Sequence, residues 1–281
     1  MIARIGFLFF IFSSVVNAEF NIDEIMQIRD EQGPLAAFKE IKPYAEEGDG
    51  VAQSLLAQMY KKGWGVEKDP KKAEHWYLKA ADNNINNMKF FLGNLYQYHL
   101  IDYKKSAFWH EKSAEEDNDD VSASILAKLY RYNDTVKDYK KAKKWYEHLA
   151  WKGDAKAQYE LGYMLLDGLG TDKNYKNAAY WFEESAKQDN ADAQFFLGYM
   201  YSKGKGVLKD YEKAMMWGKK SAKQGHIAAP LGVGQGYFLG RGVKQDTEKS
   251  KYWLRKAFDS SDEGISEQAK EFWDKHKLYE K

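Results

Sequence analysis

The chain has 281 residues, with 43 basic and 42 acidic side chains, 16% aromatics and no cysteine. So even a charge balance excludes the field that gathers nucleic acid or an anionic membrane surface, and the lack of cysteine excludes both disulfide staples and a lipid-modified cysteine anchor. Stability has to come from packing, for which a chain of this length and aromatic content has enough core material.

Residues 1–18 read as a secretory signal peptide. Arg4 gives a positive start, Ile5 to Val16 is an apolar run, and Val16-Asn17-Ala18 offers the small residues that a signal peptidase accepts, with the cut after Ala18. The run is shorter than the ~20 apolar residues of a membrane span. The expected product is periplasmic or secreted, without membrane insertion or a lipid anchor, and its basic and acidic residues are equal at 42 each. Only five of the 43 basic residues of the full chain are arginine, and the lysines alternate with acids, as in Lys71-Lys72-Ala73-Glu74. This pattern describes solvated helix faces and predicts no nucleic-acid partner.

Residues 19–49 read as a worn pair of capping helices. Ile22 to Ile28 forms the first, and Ala36-Ala37-Phe38 with Tyr44-Ala45-Glu46-Glu47-Gly48 forms the second, which Pro43 is expected to kink or end. From residue 50 the chain repeats itself. Tryptophans stand at Trp76, Trp109, Trp145, Trp181, Trp217 and Trp253, spaced by 33 and then by 36 residues, and are expected to pack the repeats together. Five residues later come Ala81, Ala114, Ala150, Ala186, Ala222 and Phe258, and glycine pairs recur as Gly63/Gly65, Gly168/Gly170, Gly204/Gly206 and Gly240/Gly242.

The clearest copy is Ala193 to Gly225. Ala193, Leu197 and Tyr201 form one stripe of a helix, Gly198 beside them predicts a close partner helix, Gly204-Lys205-Gly206-Val207 forms the loop, and Asp210 caps the returning helix. One such hairpin cannot bury its own apolar faces, so the copies must stack. These residues resemble the Sel1-like repeat, a relative of the tetratricopeptide repeat. Ala155 to Ala186, Ala191 to Ala222 and Val51 to Ala81 follow its pattern closely, and Ala228 to Ala257 more loosely. The resemblance implies an all-α, right-handed α/α solenoid of about six hairpins over residues 50–261. A capping helix, Ile265 to His276, lies within the closing segment 262–281.

Two copies depart from the pattern. The second, Met88 to Ala114, lacks the glycine loop, and the third replaces it with Tyr132-Asn133-Asp134-Thr135-Val136. The sixth places Gly232, Gly234 and Gly236 inside its first helix, each costing about 1 kcal/mol relative to alanine, which predicts the least stable helix.

The search for chemistry yields no catalytic, cofactor or metal residue. The histidines His75, His99, His110, His148, His226 and His276 contain no i, i+4 pair and read as ordinary, partly exposed side chains. Asp117-Asn118-Asp119-Asp120 lacks the calcium-loop glycine and glutamate and reads as a helix stop followed by an N-cap. The serine-nucleophile pattern Ser202-Lys203-Gly204-Lys205 has no partner motifs, and Gly232-Val233-Gly234-Gln235-Gly236 follows no strand.

A surface remains. The resemblance implies that first helices line the concave side, where the stripe opposite Ala193/Leu197/Tyr201 varies between copies. It holds Val51, Leu55, Gln58 and Lys62 in the first copy and Phe91 and Asn94 in the second. In the fourth it holds Lys156, Glu160, Tyr163 and Asp167, and in the fifth Asp192, Phe196, Tyr199 and Lys203. Leu55, Phe91, Tyr163, Phe196, Tyr199 and Lys203 are the candidate partner-binding residues, with gap-filling between helices as the alternative. The expected function is non-catalytic: an exported scaffold or adaptor holding a protein or peptide on the concave face, without cofactor. One alternative, suggested by the resemblance, is a periplasmic immunity protein that neutralises a secreted toxin. The remaining two are a purely structural element and a β-lactamase-like or peptidoglycan-acting hydrolase. The absence of cysteine separates the chain from the cysteine-rich Sel1-like proteins of gastric bacteria.

Overall fold

The computed structural model describes residues 20–279, and among these every regular element is helical. The signal-peptide segment lies outside the described residues. Two compact units divide between Ile101 and Asp102. The first holds α1 (Ile22–Gln32), α2 (Pro34–Glu47), α3 (Gly50–Lys62), α4 (Pro70–Asp82), α5 (Met88–Leu95) and a π-helical turn, Tyr96–Leu100. The second holds α6 (Tyr103–Glu116), α7 (Asp120–Tyr132), α8 (Tyr139–Trp151), α9 (Ala155–Asp167), α10 (Tyr175–Lys187), α11 (Ala191–Lys203), α12 (Tyr211–Lys223), α13 (Ala229–Leu239), α14 (Thr247–Phe258) and α15 (Glu263–Lys275).

The α11/α12 hairpin shows how the sequence builds each copy. Asn190 accepts from Ala193 N–H and starts α11, Gly204 ends it in the left-handed region, and Asp210 accepts from Lys213 N–H to start α12. Ala193 and Leu197 are fully buried. At Gly198 a β-carbon would stand 3.1 Å from the Ala214 carbonyl, so α12 lies as close as the glycine allows.

The second loop glycine joins successive copies. A β-carbon on Gly206 would lie 2.1 Å from the carbonyl oxygen of Tyr175, the first residue of α10 in the preceding copy. Gly170 meets Tyr139 at the start of α8, Gly242 meets Tyr211 at the start of α12, and Gly65 meets Pro34 at the start of α2 in the same way. A buried amide forms the second joint. Gln194 donates to the Ala186 carbonyl at the end of α10 (3.2 Å) and accepts from Gln224 (2.8 Å). Gln158 does the same with Ala150 and Gln188, and Gln53 with Ala45 and Asn83. Each amide adds a second hydrogen bond to a carbonyl in the last turn of a helix, where the capping N–H of Gly48, Gly153 or Asp189 is the first.

Five of the tryptophans, Trp76, Trp145, Trp181, Trp217 and Trp253, are buried, and Trp109 is half-buried. Lysines lie over the rings of Trp76, Trp145, Trp217 and Trp253, so their stems cover the outer edge of the core.

The irregular copies have physical explanations. In the second, the π turn is closed by Ile101 in the left-handed region, and Asp102 caps α6. In the third, Asn133 accepts from Thr135 N–H, and Asp138 N–H returns to the Tyr130 carbonyl. Pro43 does not end its helix: α2 runs through it to Glu47. Capping by α15 rests on Ala269, Phe272 and Trp273, which pack with Leu254 and Ala257.

The three glycines of α13 are not equivalent, which refines the expectation of a weak helix. A β-carbon on Gly234 would meet Leu254 at 2.7 Å and one on Gly236 would meet the Met215 sulfur at 2.3 Å, whereas Gly232 is open. Gly232→Ala is therefore expected to stabilise the protein by about 0.5–1 kcal/mol through helix propensity, and Gly234→Ala to destabilise it by about 1–3 kcal/mol through overpacking. Urea denaturation of the two variants reads both signs.

Candidate partner-binding face

The side chains of α7, α9 and α11 form a continuous aromatic and charged network on the first-helix side of the second unit. Phe196 on α11 stacks on Phe182 of α10 (5.3 Å between centroids) and meets Tyr163 edge-on (5.6 Å) and Tyr159 at 6.0 Å, both from α9. Tyr163 and the neighbouring Tyr132 of α7 cover the Arg131 guanidinium, with centroids 5.1 and 5.0 Å from its central carbon. Arg131 Nε faces Glu160 Oε2 at 3.3 Å, and the Tyr132 hydroxyl donates to Glu160 at 3.0 Å. Arg131 and Glu160 are only 6% and 7% exposed, while Tyr132 is 57% exposed.

The electrostatics follow from this burial. The Tyr132 hydroxyl is held above the ordinary tyrosine range first by burial and then by the Glu160 charge. Tyr163 is raised first by its hydrogen bond with Asp167 and then by burial. Tyr146 of α8, beneath the pair, is raised mainly by burial. These phenols stay protonated at neutral pH, and with the Tyr132 and Tyr163 hydroxyls engaged by Glu160 and Asp167 the three contribute aromatic area instead of net charge.

The six candidate residues separate into two groups. Tyr163 and Phe196 come together, and the half-buried Tyr199 borders the same cluster, with Lys205 at 3.3 Å from its hydroxyl. Lys203 is exposed at the end of α11. Leu55 and Phe91 belong to the other unit, where Phe91 stacks on Tyr77 (5.8 Å) beneath Lys61. Phe196 therefore fills a gap between first helices as well as reaching the surface. Arg131, Tyr132 and Tyr146 were not among the sequence candidates, because the third copy lacks the loop that would set its register, and Tyr159 lies off the stripe read in the fourth copy. The signal available was the arginine itself, one of five in the chain.

One histidine reading needs correction. His110 on α6 is fully buried, with Nδ1 3.0 Å from Ser122 Oγ of α7, and burial lowers its pKa to about 4 against the opposing pull of Asp119. This serine–histidine contact has no access to a substrate. Ser202 Oγ donates to the Tyr199 carbonyl of its own helix (2.8 Å), and Gly232 to Gly236 lie within α13. Asp119 caps α7 from Val121 and Ser122 N–H, as the helix-stop reading expects. Among the described residues no three His, Asp or Glu side chains cluster as metal ligands, and no helix is long and apolar enough to cross a membrane. An open cleft of about 460 Å³ lies between α6 and the third loop, lined by Ala107, Phe108, Tyr130, Val136 and three lysines.

The Sel1 repeat profile matches six successive stretches, residues 50–85, 90–118, 123–150, 155–190, 191–226 and 231–262. The chain belongs to the Sel1 repeat family. Among solved Sel1-type structures, a protective antigen of uropathogenic Escherichia coli strains aligns over 90% of this chain and 56% of its own, at 29% identity and a TM-score of 0.60. A Sel1 repeat protein from Oxalobacter formigenes aligns over 84% of this chain and 98% of its own, at 32% identity and a TM-score of 0.51. A Sel1-like repeat-containing protein of Acanthamoeba polyphaga mimivirus is 30% identical over 103 residues, 34% of this chain and 19% of the viral protein. The chain thus spans about half of the E. coli antigen and a fifth of the viral relative. The motif positions of the Sel1 repeat coincide here with the backbone joints: the loop glycines and the buried glutamine.

Proposed function

We propose that this Sel1 repeat protein is a non-catalytic interaction module that holds a protein or peptide on the first-helix face of its second unit. The carrying observation is the tyrosine-rich network from Tyr132 through Arg131, Glu160 and Tyr163 to Phe196, which bridges three successive first helices. Tyrosine and arginine at such a face supply large, rigid contact area with donors at the tips, the composition of binding hot spots. The Sel1 framework supplies rigidity while these side chains supply selectivity. Segments 1–18, 19–49, 50–261 and 262–281 act in this reading as leader, N-terminal cap, repeat array and C-terminal cap, and the leader directs the chain out of the cytoplasm.

The test compares affinity capture by the wild type with capture by a Tyr132→Ala/Tyr199→Ala variant. Both side chains reach solvent, whereas Phe196→Ala would also remove the stack on Phe182. A single partner held by the wild type and lost by the variant, at unchanged melting temperature, is the expected result. An identical set of captured proteins would place the function on another surface, and the partner's identity separates scaffold from toxin-blocking roles.

A further inference from the structure

Among the described residues, Arg131 is the buried charged side chain that retains an unpartnered donor. Its Nη1 is shielded from solvent and meets no acceptor, while Nε faces Glu160. An arginine has five N–H donors in one plane, and leaving buried ones unpaired is costly. The Tyr132 and Tyr163 rings lie 5.0 and 5.1 Å from its central carbon. The group that satisfies Nη1 must be an acceptor, and it must arrive in the plane of the guanidinium, where the N–H bonds point.

The surroundings decide which acceptor. Glu160 already provides a full negative charge at 3.3 Å. Asp167 is hydrogen-bonded to Tyr163, and Asp192 acts on Tyr159. A second carboxylate would be repelled by these three acids, whereas a neutral carbonyl oxygen would not. Resting on the interaction-face reading, we propose that the edge of the Arg131 guanidinium binds a main-chain carbonyl of an extended peptide, with its apolar side chains on Tyr163 and Phe196. Tyr132 is the last residue of α7, and its exposed ring is the side chain that turns aside to admit the peptide. The site recognises the peptide by its backbone and aromatic contacts and requires no acidic residue in it.

A random dodecapeptide library displayed on phage, selected against the full chain, supplies the probe. The best peptide is then synthesised with each amide replaced in turn by an ester, whose carbonyl is a weaker acceptor, and titrated calorimetrically. At one position the ester is expected to lose about tenfold in affinity for the wild type, while amidating any peptide carboxylate changes little. The same ester should show no loss on an Arg131→Met/Glu160→Gln variant, in which the pair is removed together. Equal binding by all the esters, or a requirement for a peptide carboxylate, overturns the carbonyl site. If binding depends on Tyr199 but not on Arg131, the face reading stands and the carbonyl site falls. If no peptide is enriched, or binding ignores both residues, both readings fall.

Discussion

Replacing Gly206 with alanine is expected to destabilise the protein by about 3–5 kcal/mol, the sum of backbone strain and overpacking. Gly206 has φ +71°, where a β-carbon is already disfavoured, and that carbon would stand 2.1 Å from the Tyr175 carbonyl oxygen. No rotamer change relieves this clash, because both groups are backbone. The preceding copy would have to separate from the loop, and the buried contacts around Phe182 and Leu197 would loosen with it. Gly225 is the control. It has φ +89° with nothing within 4 Å of the position that a methyl would take, so Gly225→Ala isolates the strain at about 1–2 kcal/mol. Urea denaturation of the two variants gives the clash by difference, and equal losses would show that stacking tolerates a methyl at the joint.

Acidification is expected to remove about 3 kcal/mol through His110 alone, by the linkage of its shift to stability. The folded-state pKa of about 4 lies below the ordinary value of 6.5, chiefly through burial, so the folded protein favours the neutral ring. The contribution is fully present above pH 6.5. It declines as the pH falls towards 4, because the unfolded chain takes up the proton first. Asp119 opposes the shift, and Ser122 holds Nδ1. The equivalent pair one copy further on is Tyr146 with Ala157, and after that Phe182 with Ala193. His110→Phe/Ser122→Ala copies the latter and should flatten the stability curve between pH 7 and 4.5. An unchanged slope in chemical denaturation across that range would assign the acid sensitivity to other groups.

The helices and their joints were legible because Sel1 copies constrain one another. A tryptophan every 33 or 36 residues, a glycine pair in fixed phase in four copies and an aspartate or asparagine before each second helix are local signals, and each maps onto a cap, a turn or a close approach. The face was less legible. Tyr163 and Phe196 could be placed on the variable stripe by helical periodicity, yet Phe196 proves to be stacked on Phe182 as well. Arg131 and Glu160 look like surface charges in the sequence and are buried only because side chains from two different copies meet. His110 escaped for a similar reason. Its polarity suggests exposure, and what makes burial tolerable is Ser122, a residue from the next copy standing where the fourth has Ala157. Pairings between copies depend on the superhelical register, which single-copy periodicity does not encode.

The glycine joint has a consequence for how such a chain changes over generations. It reads only backbone: a carbonyl at the start of one second helix and a glycine in the following loop, whether the helix begins with Pro34, Tyr139, Tyr175 or Tyr211. At this joint, a gene segment encoding one hairpin can be duplicated, deleted or exchanged without a compensating change next door. The pair between Arg131 and Glu160 imposes the opposite rule, since it is divided between the third and fourth copies. Those two hairpins are inherited together or the pair is lost, and the fit of Met215 against Gly236 ties the fifth to the sixth in the same way.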